Sequence, residues 1–273
     1  MTLIAIIIGT LIAGIGSVWL AAVLSFGVLA RYTQHMLSLA AGALLAAAFM
    51  HLLPEAFESQ AGAKDLFMTL LTGLVFFFLL DKAELWHHGH EHHHHHDHDR
   101  GHDHHPSQSP AQTHSHAAPK AGSWAVLTGD SVHCFGDGVL IASAFMADMR
   151  LGVIASLAVL VHEIPHHMGD LMVLSHNAGA ASSNKRTALV KVSLAGAVTA
   201  IGGVLGYWLV EQLRDWLPYF LVVASSSFIY VALADLIPQL QKRLSAQQTA
   251  AQIAWLGAGI AMVTAISSVA HGH

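Results

Sequence analysis

The sequence predicts an all-α polytopic membrane protein, with eight transmembrane helices in a 3+2+3 inverted-repeat arrangement. Three observations carry that prediction. The 273 residues are 54% hydrophobic and only 11% charged, where soluble domains run near a quarter charged. The apolar residues gather into eight runs, at 3–29, 35–57, 66–86, 123–146, 151–174, 189–210, 219–240 and 253–269. Most of these reach the roughly 20 residues that a helix needs to cross a bilayer. Finally, His51-Leu-Leu-Pro-Glu55 in the second run echoes Asp235-Leu-Ile-Pro-Gln239 in the seventh. Those runs are an odd number apart and cross in opposite directions, the signature of an inverted-topology repeat.

Residues 1–86 hold the first three helices. The first run lacks a basic leader and a clear small-residue cleavage site, so it reads as a retained helix. The second carries His51 and Glu55, four apart near its outer end and placed to line an entrance. Residues 87–122 form a low-complexity segment with 14 of the chain's 23 histidines and almost nothing to bury. A disordered loop is expected there. Its imidazoles, with Glu91, Asp97, Asp99 and Asp103, suit weak capture of zinc. Residues 123–176 hold helices four and five, and 177–273 hold helices six to eight.

Basic residues set the expected orientation. With the N-terminus outside, Arg31, Lys82, Arg100, Lys120, Lys185, Arg186, Lys191, Lys242 and Arg243 fall on the cytoplasmic side, and only Lys64, Arg150 and Arg214 fall outside. The positive-inside rule then puts both termini outside and the His-rich loop in the cytoplasm. The expected location is the plasma membrane, or the inner membrane of a Gram-negative cell. A single cysteine, Cys134, excludes an internal disulfide. A formal charge of −5 gives no sign of a nucleic-acid partner.

The chemistry concentrates in the fourth and fifth runs. His133-x-x-x-Asp137 and His162-x-x-x-His166 repeat at an offset of 29, and residues four apart stack on one helix face. At 100° per residue His162, Glu163, His166 and His167 share one broad face. Asp137, Glu163 and Asp170 lie in these spans, yet all 12 Lys and Arg residues map to loops or helix ends. Carboxylates buried without basic neighbours need protons, or a cation that the chain does not supply. A divalent ion held by His133, Asp137, His162, Glu163, His166 and His167 fills that need. Cys134 adds a soft ligand, and Asp170 and His51 are further candidates. This imidazole–carboxylate mix suits zinc and its first-row neighbours. Gly129, Gly136 and Gly138 in the fourth run, and Pro165 and Gly169 in the fifth, are expected to loosen the two helices around the ion. Pro165 also leaves the Val161 carbonyl without its helical bond.

Other readings fit less of the chain. A polar core of neutral histidines and protonated acids would use the same residues without metal. His162-Glu163-Ile164-Pro165-His166 is formally the H-E-x-x-H of zinc metalloproteases, including intramembrane ones, with Glu163 as general base. Pro165 interrupts that motif, and Asp137-Gly138 precedes it, the reverse of the order such proteases use. A zinc exporter of the cation diffusion facilitator type also has H-x-x-x-D helices, but with six spans and a folded cytoplasmic C-terminal domain. Here His271-Gly272-His273 follows closely on the eighth run.

The motifs resemble those of the ZIP family of metal-ion transporters, and of its LIV-1-like branch. His133-Cys-Phe-Gly-Asp137-Gly138 is similar to the family's H-N-F-x-D-G, and His162-Glu-Ile-Pro-His166 with Met168-Gly169-Asp170 to H-E-I-P-H-E-x-G-D. The third-helix ending Asp81-Lys-Ala-Glu-Leu-Trp-His-His88 and Phe228-Ile-Tyr-Val-Ala-Leu-Ala-Asp235 also fit. The resemblance implies a secondary transporter, not an enzyme. It would import Zn²⁺, or Cd²⁺, Fe²⁺ or Mn²⁺, toward the cytoplasm through a two-metal site between helices four and five. It also implies a homodimer. Two positions depart from the pattern: Cys134 stands for Asn and His167 for Glu, and Val192 to Val204 carries no carboxylate. Both exchanges favour zinc or cadmium over iron or manganese.

Overall fold

Peptide groups cannot stay unbonded in hydrocarbon, so long apolar runs close their hydrogen bonds as helices. The computed structural model describes residues 1–25, 33–89, 123–176, 182–240 and 244–269, and no strand occurs among them. The first span is α1 (Thr2–Leu11) and α2 (Ser17–Ser25) joined by a wide π-helical turn at Ile12–Gly16. The second is α3 (Thr33–Ala47) and α4 (Leu53–Phe57) around a second π-turn at Ala48–Leu52. Pro54 lacks the N–H that would bond the turn before it, and the π-turn sits at that place. The remaining helices are α5 (Ala63–Gly89), α6 (Ser123–Ala147), α7 (Met149–His176), α8 (Ser182–Gln212), α9 (Leu217–Leu240) and α10 (Ala246–Val269). Among the described residues, seven stretches are long and apolar enough to cross a membrane. The fourth span, α6, is 25 residues long and carries Asp130, His133 and Asp137 among its apolar residues.

Several expected boundaries move. Helix α5 runs on through His87 and His88 to Gly89, so the low-complexity segment starts three residues later than its composition suggests. Helix α8 begins seven residues before the apolar run at 189, which places Arg186 and Lys191 inside it rather than at its end. Helix α10 also begins seven residues early. Its start is set by a capping box: Ser245 N–H donates to Gln248 Oε1 at 3.0 Å, and Gln248 N–H donates to Ser245 Oγ at 3.3 Å. The loop at 90–122, with Arg100, Lys120 and most of its histidines, lies outside the described residues, as do Arg31, Lys242, Arg243 and the side chains of Asp235 and His176.

The expected loosening of the fourth and fifth spans is not what is found. Both α6 and α7 run unbroken, with Pro165 buried inside α7. Gly138 is a packing residue instead: a Cβ there would strike the Thr199 carbonyl oxygen, and one on Gly202 would strike that of Phe135. The two glycines press α6 onto α8 backbone to backbone, the close approach by which membrane helices associate.

The spans pack in matched pairs. The second packs on the eighth and the third on the seventh, the fourth on the sixth and the fifth on the first, the fourth on the seventh and the fifth on the second. Gly14 of the first span and Gly196 of the sixth meet each other, each leaving no room for a Cβ on its partner. Of those seven stretches the fifth and second spans are the most enclosed, with 67% and 61% of an 18-residue window buried. Helix α7 is thus the centre of the bundle, and its polar face needs partners within the protein.

Candidate metal centre

Helices α6 and α7 are joined at Asp148 and run antiparallel, so the N-terminal part of α6 faces the C-terminal part of α7. On α6 the polar residues fall at Asp130, His133, Cys134 and Asp137, spaced three, four and seven apart on one face. On α7 they fall at His162, Glu163, His166, His167 and Asp170. Two polar stripes on facing helices make a ladder.

Its first rung is His133, His162 and Glu163. His133 Nε2 lies 3.3 Å from His162 Nε2 and 3.3 Å from Glu163 Oε1, and His162 Nε2 lies 3.8 Å from the same oxygen. Asp137 Oδ2 stands 3.7 Å from His133 Nε2, at the edge of this rung. The second is Cys134, Glu163 and His167: Glu163 Oε2 is 3.0 Å from His167 Nε2 and 3.9 Å from Cys134 Sγ. The third is Asp130, His166, His167 and Asp170. His166 Nδ1 lies 3.6 Å from Asp130 Oδ1 and 3.4 Å from Asp170 Oδ2, and His167 Nδ1 lies 3.9 Å from each of those oxygens. In each group the donor atoms lie within 4.8 Å of one another. Neighbouring ligands of a tetrahedral zinc, bound at about 2.1 Å, sit about 3.4 Å apart. All three rungs are near that spacing.

Burial sharpens the chemistry. Glu163 is 1% exposed and His167 0%, and Asp130, Cys134, Asp137 and His162 are also buried. The contacts described for the four carboxylates are to histidine, to cysteine and, for Asp137 and Glu163, to each other, with no lysine or arginine among them. Buried polar oxygens left without a hydrogen bond, here Asp130 Oδ2, Asp137 Oδ2, Glu163 Oε1 and Asp170 Oδ2, are costly unless a cation or proton meets them. His133 and His166 keep 28% and 42% of their side chains exposed and stack at 5.6 Å, forming the open edge of the ladder.

Eight of the nine residues expected from the sequence converge here: His133, Cys134, Asp137, His162, Glu163, His166, His167 and Asp170. Two details differ. His166 turns its Nδ1 away from His133 and His162, toward Asp130 and Asp170. His51 belongs to none of the three groups; it sits in the π-turn of the second span, four residues before Glu55. Asp130 was missed. Its position seven residues before Asp137, two turns up the same face, was the available signal.

The sequence model of the ZIP zinc transporter family matches residues 1–267. The chain is similar to human "Zinc transporter ZIP4", 38% identical over 120 residues, which cover 43% of this chain and 17% of the human protein. It is similar to human "Zinc transporter ZIP10", 33% identical over 118 residues, or 43% of this chain and 14% of that protein. To "Zinc transporter ZIP13" of Pongo abelii it is 24% identical over 290 residues, covering 96% of this chain and 77% of the relative. The match to human ZIP4 thus spans about a sixth of that protein's length. The H-E-x-x-H string lies within the residues that this family model matches. Taken with the His–carboxylate ladder between two central helices, these matches make the chain a member of the ZIP zinc transporter family.

Proposed function

We propose that the protein is a secondary transporter carrying zinc, or a similar divalent cation, across the membrane toward the cytoplasm through the ladder between α6 and α7. The observation that carries this reading is Glu163, buried to 1% exposure, with one oxygen facing His133 and His162 and the other facing Cys134 and His167. A carboxylate so placed can hold a dication from either side. Nitrogen and oxygen ligands, with no set of four thiolates, also let the ion leave.

The inward direction is what the resemblance to the ZIP family implies, while the basic-residue pattern supports an orientation with both termini outside and the His-rich segment in the cytoplasm. The 3+2+3 repeat gains support from the packing. Exchanging the first span with the sixth, second with seventh, third with eighth and fourth with fifth maps each packing pair named above onto its partner. In 18-residue windows the first and sixth spans are each 39% buried and the third and eighth each 11%, while the second and seventh are 61% and 50% buried. The fourth and fifth spans would then lie between the two repeats, with the site they carry at the repeat interface.

Purified protein in liposomes should take up ⁶⁵Zn²⁺, and His133→Ala and Glu163→Ala should each abolish uptake. Undiminished uptake in both variants would end this reading. Efflux from cells, with cellular zinc falling on expression, would favour an exporter instead.

A further inference from the structure

We propose that Asp130, His166, His167 and Asp170 form a separate cation-binding station, which receives the ion from the station at His133, His162 and Glu163. This extends the transport reading above, but its evidence and its test are its own.

Four features of the third rung point to a ligand. First, its four side chains offer two nitrogens and two carboxylate oxygens separated by 3.4 to 3.9 Å where measured. That is close to the roughly 3.4 Å edge of a zinc tetrahedron. Second, His167 is fully buried. Its Nε2 has Glu163 Oε2 at 3.0 Å, while its Nδ1, buried without a hydrogen bond, points between Asp130 and Asp170. Third, Asp130 Oδ2 and Asp170 Oδ2 are likewise buried without hydrogen bonds. Two acids this close, with no lysine or arginine among their described contacts, favour a dication. Fourth, neither aspartate belongs to the groups around Glu163, so this donor set is not a restatement of that one.

His167 links the stations. Its Nε2 faces Glu163 Oε2 at 3.0 Å, and its Nδ1 faces Asp130 and Asp170. The imidazole presents one nitrogen to each station. An ion leaving Glu163 meets a new ligand before it loses the last old one. His166, 42% exposed at its side chain, opens the second station outward.

The test is cadmium located by anomalous scattering in crystals of the full chain, in wild type and in Asp130→Asn/Asp170→Asn. Scattering within coordination reach of both Asp130 and Asp170 is expected. In the double variant it should vanish while scattering at His133, His162 and Glu163 persists, and equilibrium dialysis should show one fewer tightly bound cadmium per chain. Scattering only at His133, His162 and Glu163 in the saturated wild type would overturn the second station and leave the transport reading standing. Scattering only at Asp130 and Asp170 would support the station and count against the transport reading as written. If the double variant does not fold, Asp170→Asn alone serves, since Asp170 is the more exposed of the two carboxylates. Its ⁶⁵Zn²⁺ uptake should lose turnover several-fold with little change in half-saturation.

Discussion

His133 Nε2 and Glu163 Oε1 lie 3.3 Å apart across the α6–α7 interface, joining the two helices at the first rung of the ladder. Glu163 uses its second oxygen on His167, 3.0 Å away on the next turn of its own helix. One side chain therefore belongs to two groups of donors. Glu163→Gln keeps the volume but removes the charge and replaces one acceptor with an NH₂ that repels a cation. Zinc uptake into liposomes should fall by about tenfold or more, about 1.4 kcal/mol in the equilibrium constant for the held ion. Circular dichroism should be unchanged. Uptake within a factor of two of wild type would remove Glu163 from the pathway.

Cys134 sets the character of the second rung. Its thiol is buried, 3.7 Å from Asp130 Oδ1 and 3.9 Å from Glu163 Oε2. Sulfur prefers zinc and cadmium, while an amide oxygen suits manganese and iron. Cys134→Asn should keep zinc uptake but weaken competition by Cd²⁺ several-fold and strengthen competition by Mn²⁺. Identical competition profiles for the two proteins would make the cysteine simple packing.

The main ligands were legible in the sequence because helical spacing and charge accounting both select them. His133 with Asp137, His162 with His166, and Glu163 with His167 pair at four-residue intervals inside apolar runs, where ionisable groups are costly and usually functional. Asp130 escaped because it lies near the start of its run, where a polar residue reads as a helix end. The orientation of His166 was also hidden. Which neighbours an imidazole nitrogen meets depends on a rotamer chosen against Asp130 and Asp170, and spacing does not encode it. Boundaries failed for another reason: hydropathy marks the stretch that meets lipid, while α10 continues to the Ser245–Gln248 cap beyond it.

The packing of α6 on α8 holds that side of the ladder in place. Gly202→Leu would drive a side chain into the Phe135 carbonyl, and Gly138→Leu into that of Thr199. Overpacking usually costs about 1–3 kcal/mol, and more where backbone is the obstacle. Each variant should lose most of its monodisperse yield or melt well below wild type. Gly169→Ala, with nothing within 4 Å of its added carbon, should melt close to wild type. Equal melting of all three would show that the close approach carries no weight.

Zinc should also stabilise the protein, and the increment can be assigned to residues. An ion that binds only the folded bundle adds RT ln(1 + [L]/Kd), about 2.7 kcal/mol at a hundredfold excess over Kd. Detergent-solubilised protein should therefore melt higher with zinc than with a chelator present. The His-rich segment at 87–122 also offers imidazoles, so the control is a variant of the ladder rather than a shortened chain. His133→Ala/Glu163→Ala removes two of the three donors of the first rung. Its melting temperature without zinc serves as its own baseline, since losing two buried side chains shifts stability by itself. With zinc it should gain clearly less than wild type. A full zinc-induced shift in this variant would place the stabilising ions elsewhere in the chain.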